Sequence, residues 1–507
     1  MKKIVFLLTI FIYTVSLSQN YFNEKYIYNS IDYGAALNGG LLLDNDTIIV
    51  EGFIVKWITA NNRNGYVAKL TMQGDMIDFV LLDTTKYYWN YPRSITKTQS
   101  KGYLLSGIYD SQIDHSCCFI TKLTHNLDTI WVKRLCHTDS TKKILSIANI
   151  EVPNGNIYLL CDVWKYQGNV GVVDNNTMLI LLDAQGNEIS RREWGVGYAR
   201  EIPRGFLETP WALLGYGYGA FLTSNINAKG GYILEIDTAC NIDNVYITPT
   251  SDSVAWFSSL ALTSDTNLLA CGIMSRQNPT TQDWSCFGYI AKYSPPPYQQ
   301  IWKILFPLAN CEYSRFEKVV ATPDGGGVIC GNDYTLPIGK GKGWMIKVNK
   351  DGQIVWDRRH TLITGGDHYF SDMVRNTDGG FSLVGYIYSH NSDPIGTYAW
   401  LARTDSFGCL VPGCQTVGIA AGENVSYKML ISPNPTADFL NVYIAQKPDF
   451  EGFLRLYDTN GKVVLSGAVS GQDKTYIFPV RGLPSGVYYL EMSAQGRILH
   501  TEKVVKE

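Results

Sequence analysis

The feature that most constrains this chain is a pattern that recurs along most of its length. One copy reads GWMIKVNKDGQIVW (343–356), in which alternating apolar residues flank a DG turn. Alternation with a period of two on both sides of a tight turn is typical of an antiparallel β-hairpin. Related hairpins begin near residues 65, 119, 178, 231, 288 and 398. Successive copies lie about 55 residues apart, a period typical of proteins that are built from repeated units.

Two further β-favouring runs precede each hairpin, so that one unit contains four strands. In the seventh unit these runs are FSDMVRN (370–376) and GFSLVGYIY (380–388). Four-stranded antiparallel units repeated around an axis are the blades of a β-propeller, and they bury their two apolar faces by stacking on one another. We therefore predict an all-β fold with a seven-bladed β-propeller over residues 19–410. The alternatives are a β-solenoid or a ring of six or eight blades.

The two ends of the repeat region indicate how the ring closes. The seventh unit lacks a fourth strand, because after Asp405 the chain continues into GCLVPGC. The N-terminal region carries one unassigned strand, FNEKYIYN (22–29). We predict that this strand pairs as the outermost strand of the last blade, where it would cover an open sheet edge.

The N-terminus indicates an exported protein, and the overall charge bears on its partners. Lys2 and Lys3 precede an apolar run over residues 4–17, and small residues follow, which predicts a cleaved signal peptide over residues 1–18. The run is short for a membrane anchor, and no later segment is long and apolar enough to cross a bilayer. The formal net charge of −3 gives no reason to expect nucleic acid or an anionic membrane as a partner.

The repeat ends before the C-terminus, where a second domain follows. A linker rich in small residues covers residues 411–424, and residues 425–507 contain about seven short strands with an NG turn, which predicts a small immunoglobulin-like β-sandwich. ISPNPTADFLNV (431–442), followed by LYDTNGKVV, LPSGVYYLEM and EKVVK, closely resembles the type A C-terminal sorting domain of the type IX secretion system. The positions that match the family are Pro433, Asn434, Pro435, Gly486, Tyr488 and Lys503.

This resemblance implies an export route and two partners. The type IX machinery would carry the protein across the outer membrane, and a surface sortase would remove the domain. The body would then be secreted or attached to the outer face of the outer membrane. The alternative is a C-terminal adhesion sandwich that stays on the protein.

The chain contains 11 cysteines, and an exported protein can form disulfides. Cys409 and Cys414 flank a short loop and are predicted to pair. Cys136 could pair with either Cys117 or Cys118. Three other cysteines fall at about the same position of the second strand in their units, which predicts that they are buried and pack as apolar residues. They are Cys161, Cys271 and Cys330. There is no CxxC pair, and we predict neither a metal site nor a cofactor.

The long connections predict which face binds ligands. Because strands alternate in direction, the links from second to third strand and from outer to next inner strand share one face, here called the loop face. Aromatic side chains there could stack on sugars or grip peptides, although their recurrence also fits packing between blades. The candidate ligand-binding residues are Tyr88, Trp89, Trp164, Tyr166, Tyr218, Trp284, Tyr334, His368 and Tyr369.

Two functions remain open at this point. The first is a non-catalytic surface or secreted propeller that binds a glycan or a protein, and the second is a propeller hydrolase or lyase that acts on polysaccharide. A glycosidase needs two carboxylates about 5 to 10 Å apart. Five aspartates fall near the loop face, but no spacing predicts a pair: Asp110, Asp114, Asp162, Asp333 and Asp367. No catalytic set can be assembled, so binding is favoured, with a purely structural role as a further alternative.

Overall fold

The structure is a computed structural model that divides into two compact units, residues 1–412 and 413–507. The residues it describes are 22–26, 33–56, 63–82, 89–110, 117–166, 172–195, 200–223, 226–248, 253–277, 284–308, 315–333, 341–390, 396–410, 414, 429–444, 452–459, 462–469, 475–494 and 497–507. All regular elements in these ranges are β-strands. The signal peptide predicted for residues 1–18 lies outside them.

The first unit contains seven four-stranded blades. Blade 1 consists of β2 (Tyr33–Asp44), β3 (Thr47–Lys56), β4 (Arg63–Thr71) and β5 (Met76–Leu81). Blade 2 consists of β6 (Trp89–Lys97), β7 (Tyr103–Asp110), β8 (Cys117–Leu123) and β9 (Thr129–Leu135). Blade 3 consists of β10 (Lys142–Glu151), β11 (Ile157–Tyr166), β12 (Val172–Leu182) and β13 (Glu188–Trp194). Blade 4 consists of β14 (Arg200–Glu208), β15 (Leu213–Thr223), β16 (Ile226–Ile236) and β17 (Ile242–Ile247).

The remaining blades follow the same order from inner to outer strand. Blade 5 consists of β18 (Ser253–Leu262), β19 (Leu268–Gln277), β20 (Trp284–Tyr293) and β21 (Gln300–Leu308). Blade 6 consists of β22 (Arg315–Ala321), β23 (Gly327–Asp333), β24 (Lys342–Val348) and β25 (Ile354–His360). Blade 7 consists of β26 (Gly366–Arg375), β27 (Phe381–Ser389), β28 (Gly396–Thr404) and β1 (Phe22–Tyr26).

The ring closes through β1, as the sequence predicts. This strand pairs antiparallel with β28, with Phe22 opposite Arg403 and Tyr26 opposite Ala399. The Trp400 indole Nε1 donates a hydrogen bond to Asn23 Oδ1 at 2.6 Å, which joins the first strand to the last blade by a side-chain contact as well. Residues 27–29 of the predicted strand lie outside the described residues.

The glycine of the repeated DG turn has a packing role between blades. At Gly352, which has a φ of 82°, an added Cβ would lie 2.9 Å from the ring of Trp302 on the outer strand of the preceding blade. The same arrangement pairs Trp131 with Gly186, Trp356 with Gly408, and Tyr26 of β1 with Gly74. The repeated tryptophan therefore lies against the next blade, and the turn glycine provides the space for it.

The three remaining seams differ from this arrangement. Leu127, Cys240 and Tyr298 occupy the glycine position with positive φ, and all three side chains are buried. On the preceding blade, the position of the tryptophan is taken by a small residue. The resulting pairs are Asp78 with Leu127, Ser190 with Cys240, and Asn244 with Tyr298. The seams between blades 1 and 2 and between blades 4 and 5 therefore receive their large side chain from the glycine position, whereas the seam between blades 3 and 4 holds two small residues.

This complementarity predicts a coupled pair of substitutions. Trp302→Asp alone removes a half-buried ring and should cost about 2 kcal/mol, and Gly352→Leu alone should cost a similar amount, about 1 to 3 kcal/mol, through overlap with that ring. The double variant reproduces the seam between blades 1 and 2. Its loss in the free energy of unfolding should be smaller than the sum of the two single losses by about 1 to 2 kcal/mol. Strictly additive losses in denaturant unfolding would contradict the packing scheme.

The lysine of the repeated hairpin also joins neighbouring blades. Lys292 is almost fully buried, and its Nζ contacts the carboxylate of Asp265 at 2.6 Å and donates to the Gly325 carbonyl of the next blade at 2.9 Å. Arg403 does the same at the closing seam, where it pairs with Asp378 at 2.6 Å and donates to the Met72 carbonyl of blade 1 at 2.8 Å. These cations satisfy buried backbone oxygens at the tight-turn face, which is the face opposite the loop face and carries the short hairpin turns.

The cysteines divide between disulfides and buried thiols. Cys136 pairs with Cys117 rather than Cys118 and so links the outer strand of blade 2 to its third strand. Cys409 and Cys414 are both disulfide-bonded, and their pairing with each other stays a prediction. The three cysteines of the second strands, Cys161, Cys271 and Cys330, are free and buried in blade cores, as predicted.

The second unit is a small β-sandwich. One sheet contains β29 (Met429–Ser432), β30 (Phe439–Ile444) and β33 (Thr475–Pro479). The other contains β31 (Gly452–Tyr457), β32 (Val463–Val469), β34 (Gly486–Ala494) and β35 (Arg497–Lys506). Leu440, Leu454 and Leu490 are fully buried members of the core of this unit.

Candidate functional site

A β-bulge interrupts every inner strand around the central channel. The pairing skips between Leu37 and Gly40, Pro92 and Ser94, Ser146 and Ala148, Pro203 and Gly205, Phe257 and Ser259, Phe316 and Lys318, and Phe370 and Asp372. A bulge leaves one residue unpaired and redirects its side chain. Arg93, Arg204 and Glu317 are three of the unpaired residues, so blades 2, 4 and 6 carry charged side chains at this level.

The second strand carries glycine beside the bulge in six blades and aspartate in the third. These residues are Gly52, Gly107, Asp162, Gly217, Gly272, Gly331 and Gly385. A Cβ on any of the glycines would overlap a carbonyl oxygen of its inner strand, as Gly385 would overlap Tyr369. In blade 3 the bulge lies one pair further along, after the pair of Ser146 and Cys161. We infer that this displacement makes room for the Asp162 side chain.

Asp162 is nearly fully buried and is held by neutral donors. Its Oδ2 accepts a hydrogen bond from Trp164 Nε1 at 2.6 Å, and its Oδ1 accepts one from Asn175 Nδ2 at 3.1 Å. Burial raises the pKa of Asp162 to about 6, although these two hydrogen bonds and the charges of Arg93 and Arg204 oppose the rise. Both arginines are therefore close enough to act on one carboxylate.

The two arginines lie on tyrosine rings. The Arg93 guanidinium is 5.0 Å from the ring centroid of Tyr91, and that of Arg204 is 5.2 Å from the ring of Tyr218. The Nε atom of each arginine is buried without a hydrogen-bond partner among the described residues. Cation–π contact thus orients two guanidinium groups, one on the inner strand of each blade next to blade 3, which carries Asp162.

Further aromatic rings extend this cluster around the channel. Tyr218 stacks on Trp256 of blade 5 with centroids 4.7 Å apart and 15° between the planes. In blade 7, Tyr369 stacks on Tyr386 at 4.7 Å, and in blade 2 Tyr91 contacts Phe53 of blade 1 at 4.7 Å. These rings lie where inner strands begin and second strands end, which is the loop-face end of the channel.

Electrostatic effects between distant blades place the cluster on the axis. Burial raises the pKa of Tyr386 to about 12, while Arg315 opposes the rise and Glu317 and Tyr91 increase it. Tyr218 in turn helps to raise the pKa of Arg315. Side chains from blades 2, 4, 6 and 7 can lie close enough for these electrostatic interactions only at the centre of the ring. The "channel mouth" is here defined by Tyr91, Arg93, Asp162, Arg204, Tyr218, Trp256, Arg315, Tyr369 and Tyr386.

The other carboxylates at this level are paired or enclosed. Glu317 is bonded to Arg315, and Asp372 forms an ion pair with Lys318 at 2.9 Å. Glu51 is fully buried in the seam beside Gly40. Burial raises the pKa of Glu51 to about 8, with Arg93 opposing the rise and Asp372 increasing it. This carboxyl is thus protonated at neutral pH.

Four of the predicted ligand-binding residues have described side chains near this end of the propeller. Tyr218 and Tyr369 belong to the channel mouth, whereas Trp164 and Tyr166 lie at the end of β11 with ring centroids 6.4 Å apart. Tyr166 also receives the Lys143 ammonium at 4.8 Å. Tyr88 and Tyr334 lie outside the described residues. For Trp89 and Trp284 the structure describes the strand position only.

His368 has a structural environment rather than an open one. It is fully buried, and its Nε2 accepts hydrogen bonds from the amides of Leu362 and Ile363 at 2.9 and 3.0 Å. Its Nδ1 lies 3.1 Å from the Gly341 carbonyl oxygen and donates to it. Burial lowers the pKa of His368. The neutral ring therefore holds the backbone of the segment that connects blades 6 and 7, and it does not belong to the channel mouth.

The aspartates singled out in the sequence do not converge. Asp367 is buried, with Oδ2 2.6 Å from His390 Nε2 and Oδ1 accepting from the Gly341 amide. Asp333 pairs with Arg359 at 3.1 Å. Asp114 and the side chain of Asp110 lie outside the described residues. The described residues contain no group of three or more potential ligands that could hold a metal ion.

Sequence reasoning missed the arginines, although a signal was present. YPRS (91–94) and IPRG (202–205) place a Pro-Arg pair at the same phase of two inner strands. Proline lacks an amide hydrogen and is tolerated beside a bulge, so this pair could have indicated both the bulge and the cation that it presents. Trp256 and Tyr386 had no comparable signal, because aromatic residues are frequent throughout the repeat.

A separate apolar cavity of about 300 Å³ lies at the closing seam between blades 7 and 1. Leu37, Val50 and Leu401 contribute to its wall. Tyr26 and Tyr66 also border it, but the Tyr26 hydroxyl is engaged with the Gly74 carbonyl at 2.6 Å. The cavity thus lacks the charged and hydrogen-bonding groups that the channel mouth offers.

In the second unit, the residues of the predicted sorting signal contact the last strand. The Asn434 side chain donates to the Lys503 carbonyl at 2.7 Å and accepts from the Val505 amide at 2.8 Å. Pro433 and Pro435 flank it, both with cis peptide bonds. Tyr488 is buried and its hydroxyl donates to the Pro484 carbonyl at 2.8 Å. Asn434 thus takes the place of a strand neighbour along β35.

Fold and site together define a β-propeller followed by a separate sandwich. Residues 430–507 match the family model described as "Secretion system C-terminal sorting domain". Residues 430–507 are therefore a secretion-system sorting domain behind a seven-bladed propeller, which supports export by the type IX secretion system. The described part of the chain contains no helix long and apolar enough to span a membrane.

The propeller unit is similar to several solved structures. An ulvan lyase from a new family of polysaccharide lyases is 9% identical with a TM-score of 0.51, over 75% of this chain and 96% of that chain. An α-L-arabinanase from Penicillium chrysogenum is 10% identical with a TM-score of 0.40, over 76% and 98%. The β-propeller domain of a protease from Pyrococcus furiosus is 8% identical with a TM-score of 0.38, over 73% and 95%. No curated protein matches the chain.

Proposed function

We propose that this protein is an exported propeller that binds a glycan at the channel mouth and does not cleave it. The observation that carries the proposal is the set of half-exposed aromatic rings, Tyr91, Tyr218, Trp256, Tyr369 and Tyr386, that several blades present at one end of the channel. Flat rings beside fixed polar groups are the usual means by which proteins hold sugar rings. Export through the sorting domain brings this surface to extracellular polysaccharides.

The state of the carboxylates supports binding over hydrolysis. A general acid and a base or nucleophile must both reach the bond that is cleaved. Here Glu317 and Asp372 are engaged by cations, and Glu51 is enclosed in a seam. Asp162 keeps two hydrogen bonds from its own blade. The arrangement suits a rigid recognition surface more than an acid–base pair.

Glycan binding by the full mature chain tests this function. We expect Tyr218→Ala and Trp256→Ala each to weaken binding on a glycan array and in titrations by about 3- to 10-fold, because each removes one stacking ring. Phe407→Ala is the matched control, since Phe407 is exposed in a turn outside the channel mouth. Absence of binding to any glycan, or equal loss in the control, would contradict the proposal.

The enzyme alternative has its own readout. Any glycan that binds is incubated with the full chain, and its size distribution and reducing ends are measured. The binding function predicts no change in either. A fall in chain length that Asp162→Asn abolishes would establish the polysaccharide hydrolase or lyase instead.

A further inference from the structure

The channel mouth carries charged groups that a neutral sugar would not need. Arg93 and Arg204 are both half-buried, and each is oriented by the tyrosine ring on which it lies. Orienting a long cationic side chain in a partly desolvated place is costly unless the group meets an opposite charge. The carboxylate of Asp162 is near both arginines, but it accepts hydrogen bonds from Trp164 and Asn175.

The balance of charge also leaves the two arginines available. Arg315 and Lys318 are neutralised by their ion pairs with Glu317 and Asp372. Glu51 carries no charge at neutral pH, because its pKa is raised to about 8. Glu201 of blade 4 is fully buried. Among the described residues, Arg93 and Arg204 are thus the cations at this level that form no ion pair.

The position of Asp162 in the repeat is a second, independent observation. Six blades have glycine there, and only in blade 3 is the bulge displaced so that a side chain fits. The Asp162 carboxylate lies near both cations but accepts its hydrogen bonds from Trp164 and Asn175. An arrangement of this kind favours a second anion that bridges the two cations from the open side of the channel.

We propose that Arg93 and Arg204 bind an oxyanion substituent of an acidic glycan, so that the ligand is a uronate-containing or sulfated polysaccharide. This inference rests on the proposed glycan-binding function and names the class of its ligand. The aromatic rings hold the sugar faces, and the two planar guanidinium groups hold the carboxylate or sulfate by charge-assisted hydrogen bonds. The shared chemistry is an oxygen-borne negative charge on a sugar.

The test compares acidic and neutral glycans on the full mature chain. The probes are polygalacturonate, which carries carboxylates only, and a sulfated galactan, which carries sulfates only. Carboxyl-reduced polygalacturonate and desulfated galactan are their neutral forms. We expect at least one acidic form to bind ten-fold or more tightly than its neutral form. The arm that shows this difference identifies the substituent.

Substitutions then locate the effect. Arg93→Gln and Arg204→Gln should each weaken binding of the acidic form at least ten-fold and leave binding of the neutral form unchanged, whereas Arg204→Lys should retain part of it. Arg192→Gln, at an exposed position on the outer strand of blade 3, is the control for the loss of one charge. Asp162→Asn should act in the opposite direction and tighten binding of the acidic form. Thermal melting of each variant shows that it is folded.

The outcomes separate this inference from the function on which it rests. If the chain binds acidic and neutral forms equally and the arginine variants keep that affinity, the oxyanion site is wrong while glycan binding stands. If no glycan binds at all, the proposed function is wrong and this inference is lost with it. If Asp162→Asn weakens binding of the acidic form as much as the arginine variants do, the assigned roles of these charges are wrong.

Discussion

Gly385→Ala is expected to cost the propeller roughly 3 kcal/mol or more of unfolding free energy. The added Cβ would overlap the carbonyl oxygen of Tyr369 and would lie 3.0 Å from the Cα of Phe370. Both are backbone atoms of the bulged inner strand, so no side-chain rotation relieves the overlap. The strand would have to move away from the channel, and the stack of Tyr369 on Tyr386 would move with it.

The matched control is Gly215→Ala on the second strand of blade 4. There the nearest atom is the Ile236 Cδ1 at 3.2 Å, the mobile end of a side chain, and the cost should be below about 1 kcal/mol. Unfolding of both variants in denaturant provides the comparison. If Gly385→Ala is as stable as Gly215→Ala, the bulged geometry described for the channel is incorrect.

Glu51→Gln is expected to stabilise the protein, and to do so increasingly as the pH rises from about 5 to 8. The folded protein holds the Glu51 carboxyl protonated up to a pKa of about 8, whereas the unfolded chain loses that proton near the ordinary glutamate pKa of 4.5. Between these values the wild type must take up a proton to fold, so its stability falls with rising pH. Glutamine has no proton to gain, and its advantage should grow to roughly 3 to 5 kcal/mol by pH 8.

Melting temperatures of the wild type and the variant at pH 5 and pH 8 measure this difference. Glu208→Gln serves as the control because Glu208 is exposed at the end of β14. We expect a gap between Glu51→Gln and wild type that opens at pH 8 and nearly closes at pH 5. A gap that is constant with pH, or one that opens at the acid end, would show that Glu51 is ionised in the folded protein.

The ring itself could be predicted from the sequence because the repeat allows the strands of each unit to be aligned and counted. A missing outer strand in the seventh unit and a spare strand at Phe22 have one economical solution, and the structure adopts it. One seam pairs the large Trp302 with Gly352, and another pairs the small Asp78 with Leu127. This exchange of sizes can also be read from the sequence, since the repeat aligns these positions. It becomes meaningful only once the order of blades is known.

The channel mouth could be predicted only in part because it depends on register. Asp162 stands at a position that periodicity assigns to a buried second strand, and a displacement of the bulge by one pair makes room for its side chain. A sequence pattern does not report such a displacement. The same limit applies to the Cys117–Cys136 disulfide, where adjacent cysteines left two pairings open until the strand register was known.

His368 illustrates the opposite limit. The sequence predicts His368 as a ligand-binding residue of the loop face, whereas it lies on the inner strand of blade 7 and its ring bonds to backbone groups through both nitrogens. A histidine near a long connection has the same sequence signature whether it faces solvent or the core. The direction of a side chain on a bulged strand therefore had to come from the structure.

The central claim is that the loop-face end of the channel is the recognition surface of an exported propeller. A crystal structure of the mature chain with the tightest-binding oligosaccharide from the panel tests it most directly. Our account predicts a sugar ring against Tyr218 or Trp256, with its anionic group between Arg93 and Arg204. A sugar bound at the tight-turn face or on the outer strands, with the channel mouth empty, would contradict it.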